Sequence, residues 1–537
     1  MKKFFILFIS LLNFHNAQTN SNVFTDAGDA AKLVIAKQKL YGGQTIAALN
    51  AFRDIEKRNS ENSTIKFYIG YSYYLLLQFD KSMESLEKAV QLNKSLKPET
   101  HLLLGKIYLK KEEVDKAEKE FLTFKNSDKS SREIDENVDV LIQHCKNARD
   151  YIQKPISVQI SNMGADINSK YDDKNPCITA NGRQLVFTTR RPETTNSPMD
   201  EEGDGRYFED IYSSSMDSIG NFLKAASIGN QINTLAHDAC TSISPDGTQL
   251  FVYKNDVNNK DSRGGAVFTS KYQNGKWKAP SPLPKPINSS YWEGGACLSP
   301  DGSKLFFTSE RKGGFGGSDI WMVERIGKKN WGSPVNLGST VNTQFDEAGM
   351  FLAPDGKTLF FCSNNPNSMG GYDIFKTVYE NNTWSAPKNL GYPINTPAKE
   401  GQLTLSADAK FAYLSSDRNG GYGESDLYRV DLKELAILEK DGIKRNDNNL
   451  SIFKGVIREG NNSNGLMEVE IIVKDNSNGV LATSTTSESG EFFFTLRGGD
   501  YTIQLKKKGY KESTEKINLG VSKDEIITLE REFLMAK

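Results

Sequence analysis

The amino-acid sequence predicts a multidomain chain: an all-α repeat solenoid over residues 24–150, a five-bladed β-propeller over 156–432, a polar linker over 433–450 and a small β-sandwich over 451–537. Three observations predict this. The first segment is nearly free of proline, with only Pro98 before Pro155, and its apolar residues recur at three- and four-residue steps. The second carries one eleven-residue phrase five times. The last alternates apolar and polar residues between glycine turns. At 537 residues the chain is also too long for a single hydrophobic core.

The N-terminus has the layout of a secretory signal peptide over residues 1–17. Lys2 and Lys3 precede the apolar run Phe4 to Leu12, and the small residue Ala17 follows. The run is too short to span a bilayer, and no later stretch is long and apolar enough to do so. The expectation is that the mature protein is exported and is soluble or peripheral to a membrane. Charge is balanced, with 67 basic and 68 acidic residues, so there is no global field to attract nucleic acid. Five cysteines in so long a chain do not make a disulfide framework and read as small buried side chains.

Two helical units stand out in the first segment. In IGYSYYLLLQFDKSMESLEKAV, Gly70 and Tyr73 are followed by Ser82, Leu86 and Ala89. In LGKIYLKKEEVDKAEKEFLTF, Gly105 and Tyr108 are followed by Ala117, Phe121 and Phe124. Gly70 and Gly105 are 35 residues apart. These units resemble the tetratricopeptide repeat, in which a small residue and an aromatic on one helix receive the next. The resemblance implies a stacked array with a concave face that holds partner proteins.

The repeated phrase reads MGADINSKYDD, IGNQINTLAHD, LPKPINSSYWE, LGSTVNTQFDE and LGYPINTPAKE. Its asparagines are Asn168, Asn233, Asn288, Asn342 and Asn395, and its terminal acids are Asp173, Asp238, Glu293, Glu347 and Glu400. After each acid come an apolar run, a turn such as SPDG, a second apolar run and a third one of the type SDIWMVE. Asp-Gly and Asn-Gly are hairpin-turn dipeptides because the chain there needs positive φ. The fifth copy stops after its third strand, while PISVQI stands ahead of the first copy with no blade of its own. A strand at 156–160 is therefore expected to close the last blade and remove its open edge.

The repeats SPDG..L.F.S and GG.DI[YWF] resemble the WD40-like PD40 propeller repeats that also occur beside TolB. The C-terminal pattern, from FKGVIREG through GEFFFTLRGGDYTIQLKKKGY, resembles the carboxypeptidase regulatory-like domain, a non-catalytic sandwich of the transthyretin type. The order of the three modules is similar to that of Bacteroidetes envelope proteins of the type IX secretion and gliding machinery. What this resemblance implies is a non-enzymatic scaffold, periplasmic and associated with the outer membrane, whose partners are outer-membrane or secretion-machinery proteins. Peptidoglycan binding is not implied, because no OmpA-like domain follows the sandwich.

Site chemistry is sparse. Only four histidines occur, His15, His101, His144 and His237, and no GxSxG elbow accompanies them. No Cys/His cluster has zinc spacing. The acidic loop with Asp200, Glu201, Glu202 and Asp204 lacks the EF-hand pattern. No catalytic residue, metal ligand or cofactor is therefore assigned. The five acids, Asp173, Asp238, Glu293, Glu347 and Glu400, are expected at a channel mouth, where paired carboxylates suit Ca²⁺ or inverting glycosidase chemistry. Their regular recurrence favours a structural role instead, with Arg191, Arg311 and Arg418 as partners. A glycan-binding or glycan-cleaving propeller using these carboxylates is the alternative to the scaffold.

Overall fold

In the computed structural model, the described residues run from 27 to 537 apart from 433–449 and short loop stretches, chiefly 93–96, 129–131, 256–264 and 521–526. The signal-peptide and linker expectations lie largely or wholly outside them.

Seven helices come first: α1 (Ala27–Tyr41), α2 (Thr45–Glu56), α3 (Ser63–Leu75), α4 (Phe79–Leu92), α5 (Glu99–Lys110), α6 (Val114–Lys125) and α7 (Val138–Gln153). Asn62 starts α3, its side chain accepting hydrogen bonds from the Thr64 and Ile65 amides at 3.0 and 3.2 Å. The two glycines set how closely helices pack. A Cβ on Gly70 would lie 2.7 Å from Leu86 of α4, and one on Gly105 2.5 Å from Phe121 of α6. Between α6 and α7, the Glu133 carboxylate takes bonds from Tyr41, at 2.5 Å, and from Lys97. This segment is anchored further by the Glu99 side chain, which accepts from the Ile134 amide at 3.1 Å.

The repeats form five antiparallel sheets. Their innermost strands are Asp173–Ile178, Asp238–Ile243, Glu293–Leu298, Glu347–Leu352 and Glu400–Leu405. In the fifth sheet, Gln159–Asn162 pairs antiparallel with Asp426–Asp431, so a strand from before the first repeat completes the last. Each acid's amide donates to a carbonyl of the preceding sheet: Asp238 to Glu209, Glu293 to Gly265, Glu347 to Ser318, Glu400 to Tyr372, and Asp173 back to Ser425. These five bonds run in a closed cycle.

The phrase asparagine explains itself in the same way. Each side-chain amide accepts from the N–H and donates to the C=O of one residue on the preceding sheet's third strand. Those residues are Leu427, Ile211, Val267, Ile320 and Ile374, and the bonds are 2.8–3.0 Å long. The side chain thus satisfies backbone groups that a neighbouring strand would otherwise satisfy. Apolar clusters lie between successive sheets, for example Phe307, Trp321 and Val323 with Phe251 and Val267.

The C-terminal residues form two further sheets. Leu450–Glu459 lies between Glu491–Arg497 and, in parallel, Thr528–Met535. The other sheet has the order Val480–Thr485, Glu470–Lys474, Gly499–Lys506, Ser513–Leu519. Their shared core contains Phe453, Phe492, Phe494 and Phe533 in ring contact.

The fold class expected from the sequence, a TPR-like solenoid, then a five-bladed propeller, then a transthyretin-like sandwich as separate modules, is corrected here. The described residues form seven helices followed by seven small sheets, and they gather into two compact units. One holds the helices and Pro192–Phe208; the other holds Lys154–Arg191 and Glu209–Lys537. Two physical reasons account for the difference. Ile452 and Phe493 of the C-terminal sheets share an apolar cluster with Ala180, so those sheets are not an isolated body. Pro192–Phe208, which lies in sequence within the first repeat, belongs to the helical unit.

Candidate functional site

The five acids stand at equivalent positions, and each is fully buried at 0 % exposure. The local reason is a closed loop within the phrase. The residue after each asparagine (Ser169, Thr234, Ser289, Thr343 or Thr396) donates both its amide and its hydroxyl to the acid four residues on. These bonds are 2.5–3.1 Å long. Ser/Thr in all five copies is the sequence signal for this loop.

A cation closes four of the five. Arg191 reaches Asp173 at 2.6 Å, Arg311 reaches Glu293 at 3.2 Å and Arg418 reaches Glu400 at 3.3 Å. In the second copy Lys254 pairs with Asp238, from the position that holds Thr189, Ser309, Ser363 or Ser416 in the others. These cations also bond the phrase carbonyls of Ile167, Ile232, Ile287 and Ile394.

Glu347 is different. Asn365 occupies the place of the arginine, and the carboxylate is met by Thr343 and, at 3.2 Å, Ser363. Burial pushes its pKa up to about 7, against the hydrogen bonds from Thr343 and Ser363. Burial also raises Asp173 and Glu400, with Arg191 and Arg418 opposing it. Asp373, in the same sheet as Glu347, is raised well above the carboxylate range by burial and then by the charge of Glu400.

The residues beside the acids break the five-fold pattern. Immediately before each acid stand Asp172, His237, Trp292, Asp346 and Lys399. Around the first two runs a charged network: Lys174 contacts Asp172 at 2.9 Å and Glu209 at 2.7 Å, and His237 Nδ1 and Arg190 lie 3.4 and 3.5 Å from Glu209. Burial works against the charge of Glu209, yet Lys174, His237 and Arg190 outweigh it and hold its pKa well below the usual range. Burial likewise disfavours charged Lys174, but Asp172 and Glu209 raise its pKa.

The other three positions combine aromatic rings with charge. Trp292 Nε1–H points at the Tyr253 hydroxyl at 3.4 Å. The Tyr372 hydroxyl donates to Asp346 at 3.2 Å, and the Lys399 ammonium stands 5.3 Å from the centre of the Tyr372 ring. Among the described residues, no group of three or more His, Cys, Asp or Glu side chains is placed to hold a metal ion. What the arrangement offers is hydrogen bonding to hydroxyl groups and flat faces for apolar surface.

Comparisons with known proteins add a domain and a set of partial likenesses. The chain is 34% identical over 83 residues to a BBSome complex member from Bos taurus, and 24% identical over 290 residues to a serine-aspartate repeat-containing protein from Staphylococcus aureus. These alignments take in 16% and 50% of this chain, and only 16% and 20% of those relatives' lengths. Similar solved structures include an alpha-L-arabinofuranosidase from Podospora anserina (10% identity, 50% of this chain and 93% of that one, TM-score 0.31). Another is a GH43 beta-xylosidase/alpha-arabinofuranosidase from a compost metagenome (10% identity, 51% and 94%, TM-score 0.35). The expectation of a non-enzymatic chain is corrected against these findings: several of the similar structures are glycoside hydrolases, while others are a peptidase and a minor pilin, and at such scores the likeness assigns no reaction to this chain. Residues 452–530 match the Carboxypeptidase regulatory-like domain, and that is the part of the chain whose family is established.

Proposed function

We propose that this chain is a glycan-binding or glycan-cleaving protein that takes its ligand beside the five buried acids. The observation that carries the reading is the break in symmetry. Asp173, Asp238, Glu293, Glu347 and Glu400 are held by their own loops, while the positions beside them carry four different residue types: Asp172 and Asp346, His237, Trp292 and Lys399. Repetition serves the frame, and departure from it serves a ligand that is itself asymmetric. Sugars offer hydroxyls to carboxylates and C–H faces to aromatic rings, which suits Asp346 with Tyr372 and Trp292 with Tyr253. Cleavage requires one carboxylic acid and one carboxylate flanking the glycosidic bond. Asp172 and Asp346 are the pair to test in those roles.

The experiment is a panel of polysaccharides assayed for binding and for release of reducing ends, with wild type, Asp172→Asn and Asp346→Asn. Binding or turnover weakened at least tenfold in either variant, with unchanged melting temperature, supports the reading. A panel that neither binds nor turns over sinks it.

The helical unit carries a second reading, as a docking site for protein partners in the cell envelope. The similarity to a BBSome complex member and the leader-like N-terminus are in keeping with it. Export to the periplasm and partners in the outer membrane or the type IX machinery are the finer form of this reading. Crosslinking in native envelopes, followed by identification of the captured proteins, tests it; recovery of no envelope protein counts against it.

A further inference from the structure

Two cysteines meet between the first and second sheets of the cycle. Cys177 lies on Asp173–Ile178 and Cys240 on Asp238–Ile243, with their sulfurs 3.2 Å apart. That is about 1.2 Å beyond the disulfide bond length of about 2.0 Å. Both are closed off from solvent, at 1 % and 0 % exposure, and both belong to the apolar cluster that contains Val186, Ile211, Leu250 and Val252. The register explains the meeting. A bulge between Lys174 and Cys177 in one strand, and another between Cys240 and Ser242 in the next, offset two positions that are not equivalent in the repeat. The second residue after one acid and the fourth after the preceding acid are Cys240 with Cys177, Gly295 with Ser242, Gly349 with Cys297, Gln402 with Phe351, and Asn175 with Thr404. Only the first of these combinations holds two thiols.

We propose that Cys177 and Cys240 form a disulfide that fastens the first sheet to the second. The oxidant is a disulfide such as oxidised glutathione. Two S–H bonds break and one S–S bond forms in the protein, while the oxidant's S–S bond takes up the two electrons and two protons and yields two thiols. The bond forms during folding, because burial leaves neither sulfur open to attack afterwards and holds the Cys240 thiol protonated.

The test starts from the full chain, reduced and unfolded in urea, then refolded in a glutathione redox buffer and alkylated in denaturant. A second sample is the full chain secreted into an oxidising compartment. The expected result is that two of the five thiols escape alkylation and that a peptide map links residues 177 and 240. Five alkylated thiols in folded protein from both samples would overturn the proposal, as would a link between any other pair. In Cys177→Ala, all four remaining thiols are expected to react; protection of two of them also counts against the assignment.

Discussion

Replacing Glu347 by Gln isolates the one acid of the five that meets no cation among the described residues. In the folded chain its pKa is pushed up to about 7, against an ordinary 4.5. The folded state therefore holds this proton more tightly than the unfolded chain does. The stability this contributes is fully present below about pH 4.5 and is lost as pH rises through about 7. A displacement of roughly 2.5 pK units corresponds to about 3 kcal/mol. Glu347→Gln cannot ionise, and its amide oxygen still accepts from Thr343. Urea unfolding between pH 5 and pH 8 should show wild type losing about 2–3 kcal/mol more than the variant over that window. Asn365→Arg should flatten the dependence by the other route, restoring the cation that Arg311 supplies to Glu293. Arg311 lies over Phe307 and Trp321, and the rings at the equivalent repeat positions, Phe361 and Phe375, stack on each other four residues before and ten after residue 365. Identical pH slopes in wild type and Glu347→Gln, to within about 0.5 kcal/mol, would refute the reasoning.

Three further outcomes follow from the packing. Gly105→Ala should destabilise the helical unit by about 1–3 kcal/mol, because the added Cβ would stand 2.5 Å from Phe121; thermal unfolding of the full chain followed by helical circular dichroism checks this. Asn395→Ala should cost about 2–4 kcal/mol by leaving the Ile374 N–H and C=O without their 2.8 Å partners, read as a fall in urea midpoint. Glu133→Gln should loosen the segment between α6 and α7, where Lys97 and Tyr41 bind that carboxylate, and speed its proteolysis relative to wild type.

Much of the frame was legible in the sequence. The glycines at 70 and 105 announced close helix packing, and the five copies of the phrase announced equivalent strands. The arginines at 191, 311 and 418 are expected from their repeat position as partners for three of the acids, and they meet those acids in the structure. Other features were hidden because spacing is not contact. Lys254 serves Asp238 from a different repeat position, so counting residues does not find it. Two bulges bring Cys177 against Cys240, whereas an unbroken register separates them. The three-module fold class failed where the C-terminal sheets bury apolar surface against Ala180, which no local pattern signals. The candidate site was harder still. Repetition marks the five acids, while the chemically distinctive residues are their more varied neighbours, visible only once each acid is seen to be enclosed.

The most direct test of the glycan reading is equilibrium binding of soluble polysaccharides to wild type and to Trp292→Ala. The account predicts saturable binding to at least one polysaccharide by the wild type and a loss of tenfold or more in Trp292→Ala, with the fold intact. Equal affinity of the two proteins for every polysaccharide that binds, or no binding by either, would contradict it.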